Sequence, residues 1–308
     1  MEELAKALTI GLTNGLIIAM IAIGYTLVYG ILELINFAHD DVFMLGTAFT
    51  YFALEVVVEV LGITPASGVA LALTFASLPV VMVLTAAINA GIERFAYRPL
   101  RSAPRLAPLI SAIGMSFILQ NVGLVLIGPS QRAVEPVLPR TNLVSFPSGT
   151  PWLGIDELAV VAVTVPLLLL LRWFVGSTRQ GKAMRATAQD REASGLMGID
   201  VNRTISLTFL IAGALAGAAG MVVALYYGQT YFQAGFQFGL LSFTAAVLGG
   251  IGNLTGATLG GIVIGIISAM SNRFLEAKWT SVIVFSILIL VLIFRPTGLM
   301  AEKTSERA

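Results

Sequence analysis

Between Thr204 and Asn272 the chain carries no Asp, Glu, Lys or Arg. No water-soluble fold hides so long a neutral stretch, because a soluble domain covers its core with about 25% charged residues. The bias runs through all 308 residues, of which 11% are charged and 57% hydrophobic. Further runs free of those four residue types occupy 7–32, 42–54, 60–92, 106–131, 158–171 and 279–294. A spanning helix needs about 20 apolar residues. Barrel strands alternate apolar and polar positions, and these runs do not. Backbone in lipid must satisfy its own hydrogen bonds, so the sequence predicts an all-α, polytopic transmembrane helical bundle. Eight to nine spans fit, short or re-entrant helices among them, in a single membrane domain over residues 1–308. The run from Ala7 to Leu32 is too long for a signal h-region and lacks a basic n-region, so it reads as a retained first span.

Lys and Arg are held on the cytoplasmic side of a membrane. Arg94, Arg98, Arg101 and Arg105 cluster in one segment, and Arg172, Arg179, Lys182, Arg185, Arg191 and Arg203 in another. With Arg295, Lys303 and Arg307 these make thirteen of the 18 basic residues. Both segments and the C-terminal tail are therefore placed inside and the N-terminus outside. An even number of crossings must then separate Arg203 from the tail. Four fit, at about 204–227, 239–252, 256–272 and 279–295, although a re-entrant helix at 239–252 would break the count. Gly249, Gly250, Gly252 and Gly256 mark the tight turn between two of them, because glycine admits positive φ. Pro129, Pro136, Pro139, Pro147 and Pro151 make 128–157 the one long external connection.

The residue inventory excludes several chemistries. There is no Cys and one His, His39, which removes structural zinc, cysteine-ligated haem and disulfides. One His cannot build the two-His helix of an intramembrane metalloprotease, and no nucleophile motif accompanies it. No catalytic residue and no metal site is assigned. A net charge of +1 is too small for binding a phosphate backbone, so nucleic acid is not an expected partner. Gly176–Lys182 matches G-x-x-x-x-G-K, but Ala183 stands where a phosphate loop needs a hydroxyl for Mg²⁺, and an apolar run precedes it in place of a strand. If ATP is used, another chain binds it.

Glycines four apart, at Gly11 and Gly15, Gly213 and Gly217, Gly256 and Gly260, and Gly261 and Gly265, mark faces where helix backbones approach closely. Asn36, Phe37, Ala38, His39, Asp40 and Asp41 follow the first run. They read first as a turn and helix cap at the membrane boundary. The alternative is a proton relay or ion pair, since ionisable groups at membrane depth default to function. Asn36 and His39, with the adjacent amides Gln120 and Asn121, are the candidate pathway or gate residues; packing is the competing role for the amides.

Lys182–Gly220 starts polar and turns wholly apolar at Thr204. Its first half is predicted to be an amphipathic helix on the cytoplasmic face, with Ala183, Ala186, Ala193 and Leu196 to one side and Arg185, Gln189 and Arg191 elsewhere. Its small side chains favour docking into a protein groove over insertion into lipid.

Three stretches carry a resemblance. They are Ala22–Gly30 with Ile35–His39, the loop from Arg185-Ala186 to Gly198-Ile199, and Ala245–Gly252 with Gly256-Ala257; the ending Arg295–Leu299 agrees as well. The chain resembles the ABC-importer permeases, most closely the LivH-type branched-chain amino acid permeases, over nearly its whole length. It departs from them at Asp40-Asp41, where the family usually has Gly followed by one acid. The resemblance implies a permease subunit of a prokaryotic inner membrane, importing leucine, isoleucine and valine. It implies a second permease of LivM type, two cytoplasmic ABC ATPase subunits that use ATP and Mg²⁺, and an extracytoplasmic substrate-binding protein. It places Arg185, Ala186, Ala188, Asp190, Ala193, Gly198 and Ile199, in a coupling loop of about 176–203, against an ATPase groove. The chain itself is expected to bind no cofactor. A related permease for urea, short amides or other amino acids is the nearer alternative. A gradient-driven carrier or channel is the more distant one, since it would want a buried acid or base within a span.

Overall fold

The computed structural model describes residues 2–65, 67–101, 103–104, 106–139, 141–146, 151–295 and 297–300. Arg105, Pro147, Pro296, Lys303 and Arg307 lie outside the described residues. Eleven α-helices are present among those described: α1 (Glu2–Leu32), α2 (Ala38–Glu55), α3 (Gly68–Ile92), α4 (Leu106–Ile127), α5 (Ile155–Ser177), α6 (Arg179–Gln189), α7 (Arg191–Leu196), α8 (Val201–Tyr227), α9 (Ala234–Gly249), α10 (Leu254–Phe274) and α11 (Ala277–Phe294). Eight of them, all but α6, α7 and α9, are long and apolar enough to cross a membrane. The protein is a polytopic helical membrane bundle. The boundaries of α8, α10 and α11 fall close to the predicted crossings. The short fourth element is α9, 16 residues long, about 24 Å.

Two helices, α1 and α8, run through the centre. α1 is the most enclosed, with Ile17 through Val28 all buried. It packs antiparallel on α10 through glycine. A Cβ added at Gly15 would lie 2.7 Å from Ile262 Cα, and one at Gly265 would overlap the Gly15 backbone. Gly213 and Gly217 of α8 meet α3 in the same way, against Asn89, Ala86 and Thr85, while Gly220 meets Gly46 and Phe43 of α2. In lipid there is no hydrophobic gain from moving one apolar face onto another, so close backbone approach and dispersion hold these seams. α11, by contrast, leaves Leu290, Leu292, Ile293 and Phe294 exposed, as suits a helix at the lipid boundary.

The connection rich in proline forms two small antiparallel sheets. β1 (Arg132–Ala133) pairs with β4 (Gln229–Thr230), tying it to the end of α8. β2 (Asn142–Ser145) pairs with β3 (Pro151–Gly154). At the other end of the bundle, Gly250 and Gly252 take φ of 104° and 99° between α9 and α10. Gly249 and Gly256 meet backbone to backbone across that turn. The tail closes over it: Leu299 N donates to Leu248 O at 2.9 Å, and Met300 N to Gly249 O at 3.1 Å.

Two local expectations are corrected. The segment after α1 is not a boundary cap. The chain reverses at Glu33, a left-handed residue with φ 55°, a conformation that costs a non-glycine residue about 1–2 kcal/mol. α2 then begins alongside the interior of α1, with the His39 ring 5.1 Å from that of Tyr25. The N-cap of α2 is Phe37, with no side-chain cap. The predicted single amphipathic helix is likewise two. Asp190 is extended between α6 and α7, and its carboxylate accepts from Glu192 N and Ala193 N at 2.9 and 3.0 Å. An Asp that caps a new helix outcompetes continuation of the old one.

Candidate functional site

The first turn of α2 brings three ionisable side chains into the interior. His39 is 0% exposed, Asp41 1% and Asp40 9%. Acids in a first turn sit at the positive end of the helix dipole, which offsets part of the cost of burying them. The Tyr25 hydroxyl of α1 faces Asp40, and Ser116 and Gln120 of α4 face Asp41. Neither oxygen of Asp41 nor either nitrogen of His39 has a hydrogen-bond partner of good geometry. The junction is closed by glycine: side chains at Gly24 and Gly239 would overlap the His39 ring and the Asp40 carboxylate. Asp40 thus occupies space that the absence of a side chain at Gly239 leaves on α9.

The four candidate pathway residues part company here. His39 and Gln120 belong to this junction; Gln120 also donates to Ser116 Oγ at 3.2 Å. Asn121 is exposed on the outer face of α4, donating to Phe117 O at 2.8 Å. Asn36 lies apart, in a buried amide relay. It accepts from the Tyr97 hydroxyl at 2.7 Å and contacts Asn89 at 3.5 Å, and Asn89 donates to Phe209 O at 2.7 Å. That relay ties the reversal after α1 to α3 and α8, so the structure gives Asn36 a tertiary tie.

The second candidate region is the α6–α7 loop. Thr178 caps α6 by accepting from Gly181 N at 3.0 Å, and Asp200 caps α8 by accepting from Arg203 N at 3.0 Å. Gly181, Met184, Thr187 and Ser194 face inward. Of the predicted coupling residues, Arg185, Ala188, Asp190, Ala193 and Gly198 are exposed, and Ala186 and Ile199 are half-buried. Arg185 closes the end of α5, where its guanidinium donates to the Val175 and Gly176 carbonyls; free carbonyls at a helix C-terminus want a cation. Leu196 and Met197, 85% and 83% exposed, project beside them.

Sequence reasoning missed what anchors this loop. Arg191 of α7 donates from Nε and Nη2 to Ile31 O at 3.1 and 2.6 Å, clasping the end of α1. Between them lies a cleft of about 360 Å³. Nearby, Glu93 is buried and paired with Arg101, which also donates to Asn202 Oδ1 at 2.6 Å, while Ser206 donates to Glu93 at 2.7 Å. Burial pulls the Arg101 guanidinium below its usual value, and Glu93 opposes that shift. The signal for Glu93 was present as an acid bordering an apolar run, but nothing local names its partner.

Long apolar helices joined through glycine seams, with a capped polar loop at one end, describe many transport proteins. Comparison with known proteins decides among them. The family described as "Branched-chain amino acid transport system / permease component" matches residues 7–293. The chain belongs to this family. The high-affinity branched-chain amino acid transport system permease protein BraD of Pseudomonas aeruginosa is 39% identical over 100% of this chain and 97% of its own length. The corresponding LivH proteins of Escherichia coli and Salmonella typhimurium are each 38% identical over 96% of this chain and 95% of theirs. Similarity to the galactose/methyl galactoside import permease MglC of Haemophilus influenzae, 28% identical, covers only 42% of the chain. The protein is accordingly a multi-pass membrane permease. Among the described residues of this permease, no three His, Asp or Glu side chains converge as a metal site would need.

Proposed function

We propose that this chain is the membrane-spanning subunit of an ATP-driven importer for branched-chain amino acids. It pairs with a second permease subunit of LivM type and two cytoplasmic ABC ATPases, and it receives cargo from an extracytoplasmic binding protein. ATP and Mg²⁺ belong to the ATPases; this single permease domain binds no cofactor and contributes the passage and the coupling. The cargo assignment is supported by full-length likeness to relatives named for branched-chain amino acids. The coupling assignment is carried by one observation, the outward face of the α6–α7 loop. Exposed Ala188, Ala193 and Gly198 let a partner backbone approach, and Leu196 and Met197 offer an apolar knob of the kind that fills a groove. Arg185 and Asp190 hold the shape of the loop through their carbonyl and cap contacts. Arg191 joins that loop to α1, so a force applied by ATPase closure has a mechanical path into the centre of the bundle.

Co-expression of the permease pair with its ATPases, followed by mild-detergent purification and leucine uptake in proteoliposomes, tests this. Ala193→Glu places a charge on the docking face without touching the α1 clasp. It should leave the chain inserted while at least ~10-fold of uptake is lost, the equivalent of about 1.4 kcal/mol of coupling. Unchanged uptake removes the loop from the interface. Uptake of urea in place of leucine, isoleucine or valine would replace the cargo assignment.

A further inference from the structure

The cleft of about 360 Å³ beside the Arg191 clasp is polar on several walls. It is bounded by Leu34 at the reversal after α1, by Arg101 and Pro108 on the approach to α4, and by Thr187, Arg191 and Glu192 of the α6–α7 loop. Two polar groups on these walls have no partner among the described residues. Thr187 is 1% exposed, and its hydroxyl is unbonded. The Arg101 guanidinium gives Nη1 to Asn202 and Nη2 to Glu93, while its buried Nε is unbonded. Arg191 commits Nε and Nη2 to Ile31 O, which leaves Nη1 outside the clasp. A buried hydrogen bond left unmade costs about 1–3 kcal/mol. Donors of this kind around one cleft call for an acceptor that the chain does not supply.

Charge narrows what that acceptor is. Glu33 and Glu192 line the same cleft and are exposed. A phosphate ion would meet both carboxylates, and a metal ion would meet both guanidiniums. Among the described residues no three His, Asp or Glu side chains converge for a metal in any case. A small zwitterion answers both signs, because it carries a carboxylate and an ammonium on one short frame. Ile31 and Pro108 are buried and give its side chain an apolar wall. The volume suffices, since small-molecule pockets begin at about 300 Å³.

We infer that this cleft binds a free α-amino acid on the cytoplasmic side and that its occupancy slows the transporter as imported cargo accumulates. Thr187, Arg101 and Arg191 take the carboxylate, and Glu33 and Glu192 take the ammonium. The ligand then bridges the α6–α7 loop and the end of α1, and a ligand favours whichever arrangement it binds best. This rests on the importer reading and goes beyond it by giving that importer a product-sensing site.

The test uses the permease pair with its ATPases in liposomes, with binding protein and labelled leucine sealed inside. ATP added outside reaches only complexes whose ATPases face the bath, so leucine in the bath is on the cytoplasmic side. Millimolar bath leucine should slow wild-type ATP turnover at least ~5-fold. N-acetylleucine and leucinamide, each lacking one of the two charges, should not. Thr187→Val and Glu192→Gln should turn over at the wild-type rate without bath leucine and need at least ~10-fold more of it for half-inhibition. No slowing of the wild type, equal slowing by the two derivatives, or unchanged inhibition in both variants overturns the proposal. If Thr187→Val fails to fold, Glu192→Gln, at an exposed position, is read alone. Release of the labelled leucine by the wild type is measured first, and its absence is a failure of the importer reading. Leucine should then still raise the melting temperature of the solubilised wild-type complex and not that of Glu192→Gln; no rise overturns the site itself.

Discussion

The glycine seam between α1 and α10 and the polar junction at the start of α2 share one helix and are built on opposite terms. In the seam, Gly11, Gly15, Gly261 and Gly265 let two backbones touch. In the junction, glycines at 24, 235 and 239 make room for polar side chains that lack full hydrogen bonding. The first arrangement maximises dispersion and stability. The second gives up stability, since each unpaired buried polar group costs about 1–3 kcal/mol. Such a cost is retained where a molecule has a use for it. The seam therefore holds the subunit together, and we propose that the junction is where it works.

The comparison breaks if substitutions in the two regions have like effects. Gly265→Leu forces side-chain atoms into the Gly15 backbone, which has no rotamer to yield. It should cost about 3 kcal/mol or more and leave little folded subunit by detergent thermal melting. Asp41→Leu removes a buried carboxyl group that lacks a hydrogen-bond partner, at similar volume. It should hold stability level or raise it by about 1 kcal/mol, while leucine uptake falls steeply. Equal losses of stability and uptake would show the junction to be a second structural seam. Gly91→Ala is the control for glycine itself. No atom lies within 4 Å of a Cβ there, so the melting temperature should rise by the equivalent of about 0.5–1 kcal/mol. Lys182→Ala, on the exposed face of α6, should shift stability by less than about 0.5 kcal/mol and leave uptake and nucleotide-dependent turnover unaltered. A large loss would revive the phosphate-loop resemblance at Gly176–Lys182.

Residue pattern alone made much of the molecule legible, for reasons that are local. Hydrocarbon forces long apolar runs into helices, so α1, α3, α4, α5, α8, α10 and α11 were visible as runs without charge. Glycines four apart showed the seams, because helical spacing puts them on one face. The turn at Gly250 and Gly252 was visible because positive φ favours glycine. The polar loop between α5 and α8 stood out by composition.

The sequence by itself determined the solvent, the helices, the glycine faces and the family motifs, since each depends on residues within a few turns of one another. Tertiary structure decided the rest. Nothing in Asn36–Asp41 signals that the chain turns back to start α2 beside Tyr25, and that reversal converts an expected boundary cap into a buried acid pair. The clasp of Arg191 on Ile31 O and the pairing of Glu93 with Arg101 join residues brought together by packing. Asn36 follows one apolar run and Asn121 lies within another, yet the first ends in a buried relay and the second on an exposed helix face. The physical reason is that burial of a polar group is set by what faces it, and what faces it is chosen by the packing of other helices.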